Sequence, residues 1–359
     1  MFYPLPLIDF SDFKYWFKFR KLDKFSFRWH NSGAEALAEI CKDIFLIKKR
    51  TLKILIPSYF CGQSLSYLRS LDVELYFYKL NKDFTPNINF INEEYGSMKF
   101  DIFLNVHYFG KFFINNAFIT LAKKQHAILI DDCAHIISPF TNFDFKGDFL
   151  IFSPHKYFPL PKVAFSIKKA KINFSYSNKF SYSIPFGWLI KQILKKIFRR
   201  KLNSEWGVKF SSREKILNNF NPSIFAVNAS LNYISNFDEI SLKRKKNKDK
   251  LIEILSNIPK WSPLIDFENL SHPYLLGMIC DDEEVANKRF KLLNKKYRYV
   301  MQWPDLPNEL LEFKSNLNDE CITLVKRTIF FFIHHKINQN IWLKELDNSI
   351  KNRNLYEFN

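Results

Sequence analysis

Two stretches, AILIDDCAH (127–135) and DFLIFSPHKYFPLP (148–161), decide how the chain is read. In each, a short apolar run ends in polar, chemically competent side chains: Asp131, Asp132 and His135 after the first, Ser153 and Lys156 after the second. Short apolar runs bounded by polar residues suit strands buried on both faces, the pattern of a parallel sheet covered by helices. In such sheets ligands gather outside the carboxyl ends of the strands. Asp132, and Lys156 24 residues beyond it, each follow such a run and are placed to face one crevice.

The same pattern continues on both sides. KILIP (53–57), VELYFY (73–78), DIFLNV (101–106) and VAFSI (163–167) read as further strands. GAEALAEICKDIFLI (33–47) sets Ala36, Leu37, Ile40, Cys41, Ile44 and Phe45 on one helical face,. Strands alternating with helices predict an α/β domain with a mostly parallel sheet over residues 1–235, including an N-terminal extension. After it, a helix (251–258), a strand (274–279), a helix (283–296), a strand (328–333) and a last helix (340–351) predict a small α+β domain over residues 236–359,. The run KRKKNKDK (243–250) reads as a solvated helix face,. His107 reads as a packed strand-end residue.

Composition excludes several classes. The 359 residues carry 54 basic and 36 acidic side chains, a net charge of +18 that attracts phosphates, acidic lipid or nucleic acid,. No finger spacing, RNP1 string or basic region accompanies that charge, so nucleic acid is not an expected partner. Five widely spaced cysteines with no C-x-x-C pair suit buried thiols in a reducing compartment,. Cys133 and His135 lack the neighbours a zinc site needs, and no metal is expected. No apolar run is long enough to span a bilayer, and the first residues lack a signal-peptide pattern. A cytoplasmic protein is the expectation. Residues 188–200 form a basic amphipathic helix candidate; packing on the domain is the commoner fate of that pattern, and peripheral contact with the inner membrane face is the alternative.

Three places carry chemistry. A lysine beneath apolar walls has its pKa lowered and becomes nucleophilic toward a carbonyl. An acid at a neighbouring strand end can hold a pyridine nitrogen protonated. NSGAEAL (31–37) starts a helix whose free N–H groups suit a phosphate,. Lysine, acid and phosphate cradle together suggest pyridoxal 5′-phosphate.

The motifs NSGAEAL, LIPSYFCGQS (55–64), VHYFG (106–110), LIDDCAH (129–135) and GDFLIFSPHKYFPLP (147–161) occur in that order. The set resembles the DegT/DnrJ-type sugar aminotransferases over roughly residues 30–165, and more loosely beyond, where 220–251 is similar to the segment entering the small domain. The resemblance implies the aspartate-aminotransferase-like fold (fold type I) and a pyridoxal-phosphate enzyme that moves an amino group, from glutamate by family habit, to a nucleotide-linked keto-sugar for surface polysaccharide or related glycan synthesis. It makes Lys156 the cofactor-bonding lysine and proton carrier, Asp132 the partner of the pyridine nitrogen, and His135 a contact of the ring or its 3-hydroxyl. Ser153 and the amides of Gly33 and Ala34 would hold the phosphate. One of Tyr59, Phe60 and Cys61 would face the ring. A homodimer would share its sites, with Asn221 reaching the phosphate across the interface.

SPHKYFPLP is similar to a short S-x-x-K-x-x-P-x-P form found in a subgroup. Where that form continues with two glycines, this chain has Lys162, Val163 and Ala164; where the family has Thr, Ser or Arg after the helix-start glycine, it has Ala34. These departures leave Lys156 and Asp132 intact. They also motivate a second expectation, a protein of the same fold that binds a sugar nucleotide or a partner without transaminating.

Overall fold

The computed structural model describes residues 15, 27–136, 144–169, 179–197, 221–268, 270, 272–296, 300–312 and 316–335. Its centre is a seven-stranded sheet: β1 (Phe27–His30), β2 (Leu52–Pro57), β3 (Val73–Tyr78), β4 (Ile102–Val106), β5 (Ile128–Cys133), β6 (Phe149–Phe152) and β7 (Ala164–Lys168). The strands lie in the order β1-β7-β6-β5-β4-β2-β3. The five from β6 to β3 are parallel; β7 and β1 are antiparallel additions on one side. Central runs such as Ile102–Val106 and Phe149–Phe152 are buried at every position, the consequence of covering both faces,.

The apolar stripe of α1 (Gly33–Lys48) packs onto this sheet through Leu37, Ile40, Cys41 and Ile44, all within the main core. Further helices are α2 (Ile88–Tyr95), α3 (Asn116–Lys124), α4 (Phe186–Ile197), α5 (Ile224–Ser235) and α6 (Phe237–Leu255), then α7 (Glu283–Lys296), α8 (Asn308–Glu312) and α9 (Asn316–Arg327). A second, antiparallel sheet has the order β10 (Val300–Met301), β11 (Thr328–Phe332), β9 (Leu275–Cys280), β8 (Trp261–Pro263). A mostly parallel sheet under helices, followed by a small antiparallel sheet with its own helices, is the α/β architecture expected.

Differences from the expected elements have local causes. FRWH forms β1 because Arg28 turns outward to Glu39 and Asp43 of α1, at 2.8 and 2.5 Å, while Phe27 and Trp29 are buried. Of the helix expected at 251–258, residues 251–255 are the end of the longer α6, and 256–258 lie beyond it. Within KRKKNKDK, Arg244, Asn247 and Lys248 are buried, and the solvated reading holds for only part of the run. Arg244 donates to the carbonyls of Pro273, Ile333 and Tyr157 at 3.1, 2.5 and 3.0 Å. Asn247 donates to His334 and Lys248 to Phe267. Residues 198–200 of the basic helix candidate, and the helix expected at 340–351, lie outside the described residues.

The turn after β4 joins the two halves. Phe109 has φ +57° and Gly110 φ +95°. Their carbonyls accept from the amides of Tyr274 and His272, at 3.1 and 3.0 Å. A Cβ on Gly110 would fall 1.7 Å from the His272 carbonyl oxygen, so only glycine fits,. No described helix is long and apolar enough to cross a membrane.

Candidate functional site

The carboxyl ends of β5 and β6 define the site. Parallel register sets Asp132 beside Ile151 and Cys133 beside Phe152. Successive strand side chains point to opposite faces, so Asp131 and Asp132 have different fates. Asp131 is buried and accepts from Asn105 Nδ2 and from the Gly147 amide, both at 2.8 Å; His107 Nε2 stands 3.4 Å away. Burial alone would raise its pKa, but His107 and these hydrogen bonds outweigh that and hold it below the usual carboxylate value. Asp131 thus ties β4, β5 and the approach to β6 together. His107 accepts from the Phe113 amide at 3.1 Å and stacks on Phe112, as a packed residue.

Asp132 and Lys156 line one cleft. Lys156 ends a short 3-10 turn, Pro154–Lys156, that follows β6 directly. Burial lowers the amine's pKa, while Asp132 and Cys61 oppose the shift. Burial raises the Asp132 carboxyl, against the pull of Lys156 and a hydrogen bond from the Ala134 amide at 2.9 Å.

A second cleft wall is the start of α1, with Ser32, Gly33 and Ala34. Ser32 caps the helix, its hydroxyl accepting from the Glu35 amide at 3.2 Å. Ser153, 2% exposed, lines the same wall, and its hydroxyl bonds no described residue. A Cβ on Gly33 would come within 2.8 Å of that hydroxyl oxygen. Gly33 therefore lets the helix end approach the end of β6 and leaves a polar hollow there.

The third wall comes from the loop after β2. Phe60, Gln63, Ser64, Ser66 and Tyr67 line it. Of the three residues left open by sequence, Phe60 is the one in the cleft lining. Tyr59 is buried against Trp303, Phe84 and Tyr108. Cys61 donates its thiol to Asp305 Oδ1 at 3.0 Å, and Asp305 also accepts from the Gln63 amide at 3.1 Å. The paired bonds of Arg69 to Glu309, at 2.5 and 2.9 Å, clamp the same loop from α8. Gly62 passes so close that a Cβ there would meet the Leu306 carbonyl oxygen at 2.7 Å.

His135 stands outside the lining. Its ring packs against Tyr274, Phe109 and Trp303, Nδ1 accepts from the Phe109 amide at 3.3 Å, and Tyr157 Oη donates to its carbonyl. Burial, with Lys156 nearby, holds it well below the ordinary histidine pKa. Asn221 is exposed and likewise outside the lining. His155 and Lys162, which the sequence did not single out as ligands, both line it. His155 donates Nδ1–H to the Val163 carbonyl at 2.7 Å, and burial lowers its pKa to about 4. None of residues 162–164 has a positive φ, so the backbone here does not require the glycines of the short form,.

The described residues fit pyridoxal phosphate: an amine and a carboxylate in one cleft, the apolar Phe60 and Ala134 for a ring, and an unfilled hydroxyl beside a helix N-terminus for a phosphate,. No group of three or more potential metal ligands is found among them. The cysteines are free, four of them buried.

No protein-family model and no curated protein matches the chain. Solved structures do. The aminotransferase PseC of Helicobacter pylori, involved in pseudoaminic acid biosynthesis, superposes with a TM-score of 0.70 at 14% identity, over 98% of each chain. The aminotransferase TlmJ of Streptoalloteichus hindustanus gives 0.65 at 12% identity, over 91% of this chain and 86% of its own. GDP-4-keto-6-deoxymannose-3-dehydratase (ColD), solved with GDP-perosamine, gives 0.64 at 14% identity over 90% and 88%. The chain shares the fold of these proteins, the expected fold-type-I architecture, across nearly its whole length.

Proposed function

We propose that the protein is a pyridoxal-phosphate-dependent aminotransferase that transfers an amino group from an amino acid, glutamate first, to a nucleotide-linked keto-sugar. The observation that carries this reading is the pairing of Lys156 and Asp132 in one cleft, with Ser153 and the start of α1 forming a separate polar hollow. When bound, the cofactor supplies the electron sink that makes a substrate Cα–H bond acidic. Lys156 Nζ, its pKa lowered by burial, is the base that takes that proton and the acid that returns it to the acceptor,. Asp132 would hold the pyridine nitrogen through its negative charge. The Ser153 hydroxyl and the Gly33 and Ala34 amides would hold the phosphate. Phe60 would supply a flat apolar contact for the ring.

The acceptor class rests on two supports: the nucleotide-linked keto-sugar in the name of ColD, beside the pseudoaminic acid biosynthesis named for PseC, and a net charge of +18 that draws diphosphates by long-range attraction,. A homodimer with shared sites, Asn221 reaching across, is part of the same reading. Its support is the exposed apolar set Tyr182, Phe186 and Ile190, on a segment bridged to Asn221–Ser223 by the pairing of Ser181 with Ser223,. A large domain over residues 1–235 and a small one over 236–359 belong to the same reading, supported by the presence of two separate sheets.

Purified protein mixed with pyridoxal 5′-phosphate should acquire a visible absorption band that Lys156→Ala loses. Glutamate should move the wild-type band into the near ultraviolet. A wild-type protein that stays colourless overturns the reading; one that colours but ignores every amino donor supports the non-transaminating alternative.

A further inference from the structure

Lys162 stands where the short motif form has glycine, and the cleft gives it a place among the phosphate-binding groups. It follows Pro161 at the end of the SPHKYFPLP loop, is exposed, and lines the same cleft as Gly33, Ala34 and Ser153. Three facts converge there. The first turn of α1 offers amides but, at Ala34, no side-chain donor. The Ser153 hydroxyl, nine-tenths buried and more, bonds no described residue. The cleft lining carries one carboxylate, Asp132, against two amines, Lys156 and Lys162. Asp132 opposes the charge of Lys156 from within the cleft, whereas the helix start adds further positive potential on the side of Ser153,. The charge of Lys162 is felt at His155, where it helps keep the imidazole neutral.

We propose that Lys162 is a phosphate-binding residue, supplying the charged contact that Ala34 cannot, to a phosphate ester bound at the Ser153 and Gly33 wall. This rests on the reading above for the cofactor but not for the chemistry of the ligand. Two sources present that group: the cofactor's own phosphate and the diphosphate of a nucleotide-linked sugar. A lysine ammonium serves either as a point charge.

The test compares wild type, Lys162→Met and Lys162→Arg in three titrations: pyridoxal 5′-phosphate and phosphate-free pyridoxal followed by the visible band, and uridine diphosphate followed by calorimetry. If the cofactor is the source, Lys162→Met weakens pyridoxal 5′-phosphate roughly tenfold, leaves pyridoxal unchanged, and Lys162→Arg restores most of the loss. If the nucleotide is the source, the tenfold loss falls on uridine diphosphate and both pyridoxals are unaffected. Equal affinities of wild type and Lys162→Met for all three overturn the proposal. A wild type that colours with neither pyridoxal overturns the cofactor reading instead, and Lys162 is then judged by uridine diphosphate alone: a loss in Lys162→Met supports it, and no binding or no loss removes it.

Discussion

A Cβ on Gly33 would stand 2.8 Å from the Ser153 hydroxyl oxygen, so the start of α1 and the end of β6 meet at a point where only hydrogen fits. The neighbour that would have to give is the end of a short side chain, which makes the clash a functional rather than a folding problem. Gly33→Ala should fold with a melting temperature close to that of the parent, while its affinity for pyridoxal 5′-phosphate falls about tenfold or more, as expected for loss of one or two hydrogen bonds to a charged group. Ser153→Ala should do the same by removing the donor. Equal cofactor affinity in both variants would show that this hollow holds no phosphate.

Phe60 and Tyr59 are neighbours with opposite placements, and their variants should separate. Phe60→Ala removes the apolar cleft wall and should weaken cofactor binding; because Phe60 is 4% exposed and part of the main core, it should also cost about 3–5 kcal/mol of stability,. Tyr59 is buried, and its hydroxyl lacks a hydrogen-bond partner among the described residues. A buried unpartnered hydroxyl is costly, so Tyr59→Phe should stabilise the fold by about 1 kcal/mol and leave cofactor affinity unchanged. Urea midpoints and visible titrations of the two proteins provide the check. A cofactor defect confined to Tyr59→Phe would reverse the assignment.

The sheet was legible because its central strands are buried on both faces and so spell out continuous apolar runs; Ile102–Val106, buried at every position, is the strand read at 101–106. The lysine and acid were legible because each directly follows such a run. The choice among Tyr59, Phe60 and Cys61 was not, since a loop imposes no periodicity that tells which side chain turns inward. Asp305 and Glu309, which fix that loop, lie 244 and 240 residues from their partners Cys61 and Arg69. KRKKNKDK misled for a related reason: three of its residues donate to backbone carbonyls at strand and loop ends, and composition records donors without showing where the acceptors are. Lys162 read as a lost glycine because the sequence shows what a position lacks more readily than which cleft its new side chain enters.

Stability should fall on acidification through His155. Its folded pKa of about 4 lies below the ordinary value of 6.5, so between these two the unfolded chain binds more protons,. Stability therefore rises with pH across that window and is lost as pH drops from 6.5 toward 4, by up to about 3 kcal/mol from this group. His155→Gln retains an amide donor for the Val163 carbonyl and removes the titration. Urea unfolding of both proteins at pH 7 and pH 4.5 should give a smaller loss for the variant; His272, lowered to about 3, acts in the same window in both and cancels. Equal losses would show that His155 is protonated in the folded protein.

Arg244 is a buried cation held by dipoles. It is 1% exposed, donates to three backbone carbonyls and lies 4.7 Å from the centre of the Tyr157 ring. Burial lowers its pKa to about 10, which still leaves it charged at neutral pH. One of those carbonyls belongs to Tyr157, the residue after Lys156, and the other two to Pro273 and Ile333, beside the small sheet. Arg244→Met preserves much of the volume but strands three acceptors, and should cost about 3–5 kcal/mol in urea unfolding at pH 7. Arg244→Lys keeps the charge without the planar fork, and a single ammonium cannot span carbonyls from three segments, so it should recover less than half of that loss. The lysine variant also tests whether the contact positions Lys156: the pH at which the visible band of bound pyridoxal 5′-phosphate changes should shift relative to wild type even where the protein is fully folded. An unshifted band in a folded Arg244→Lys protein would confine Arg244 to holding the two sheets' loops together.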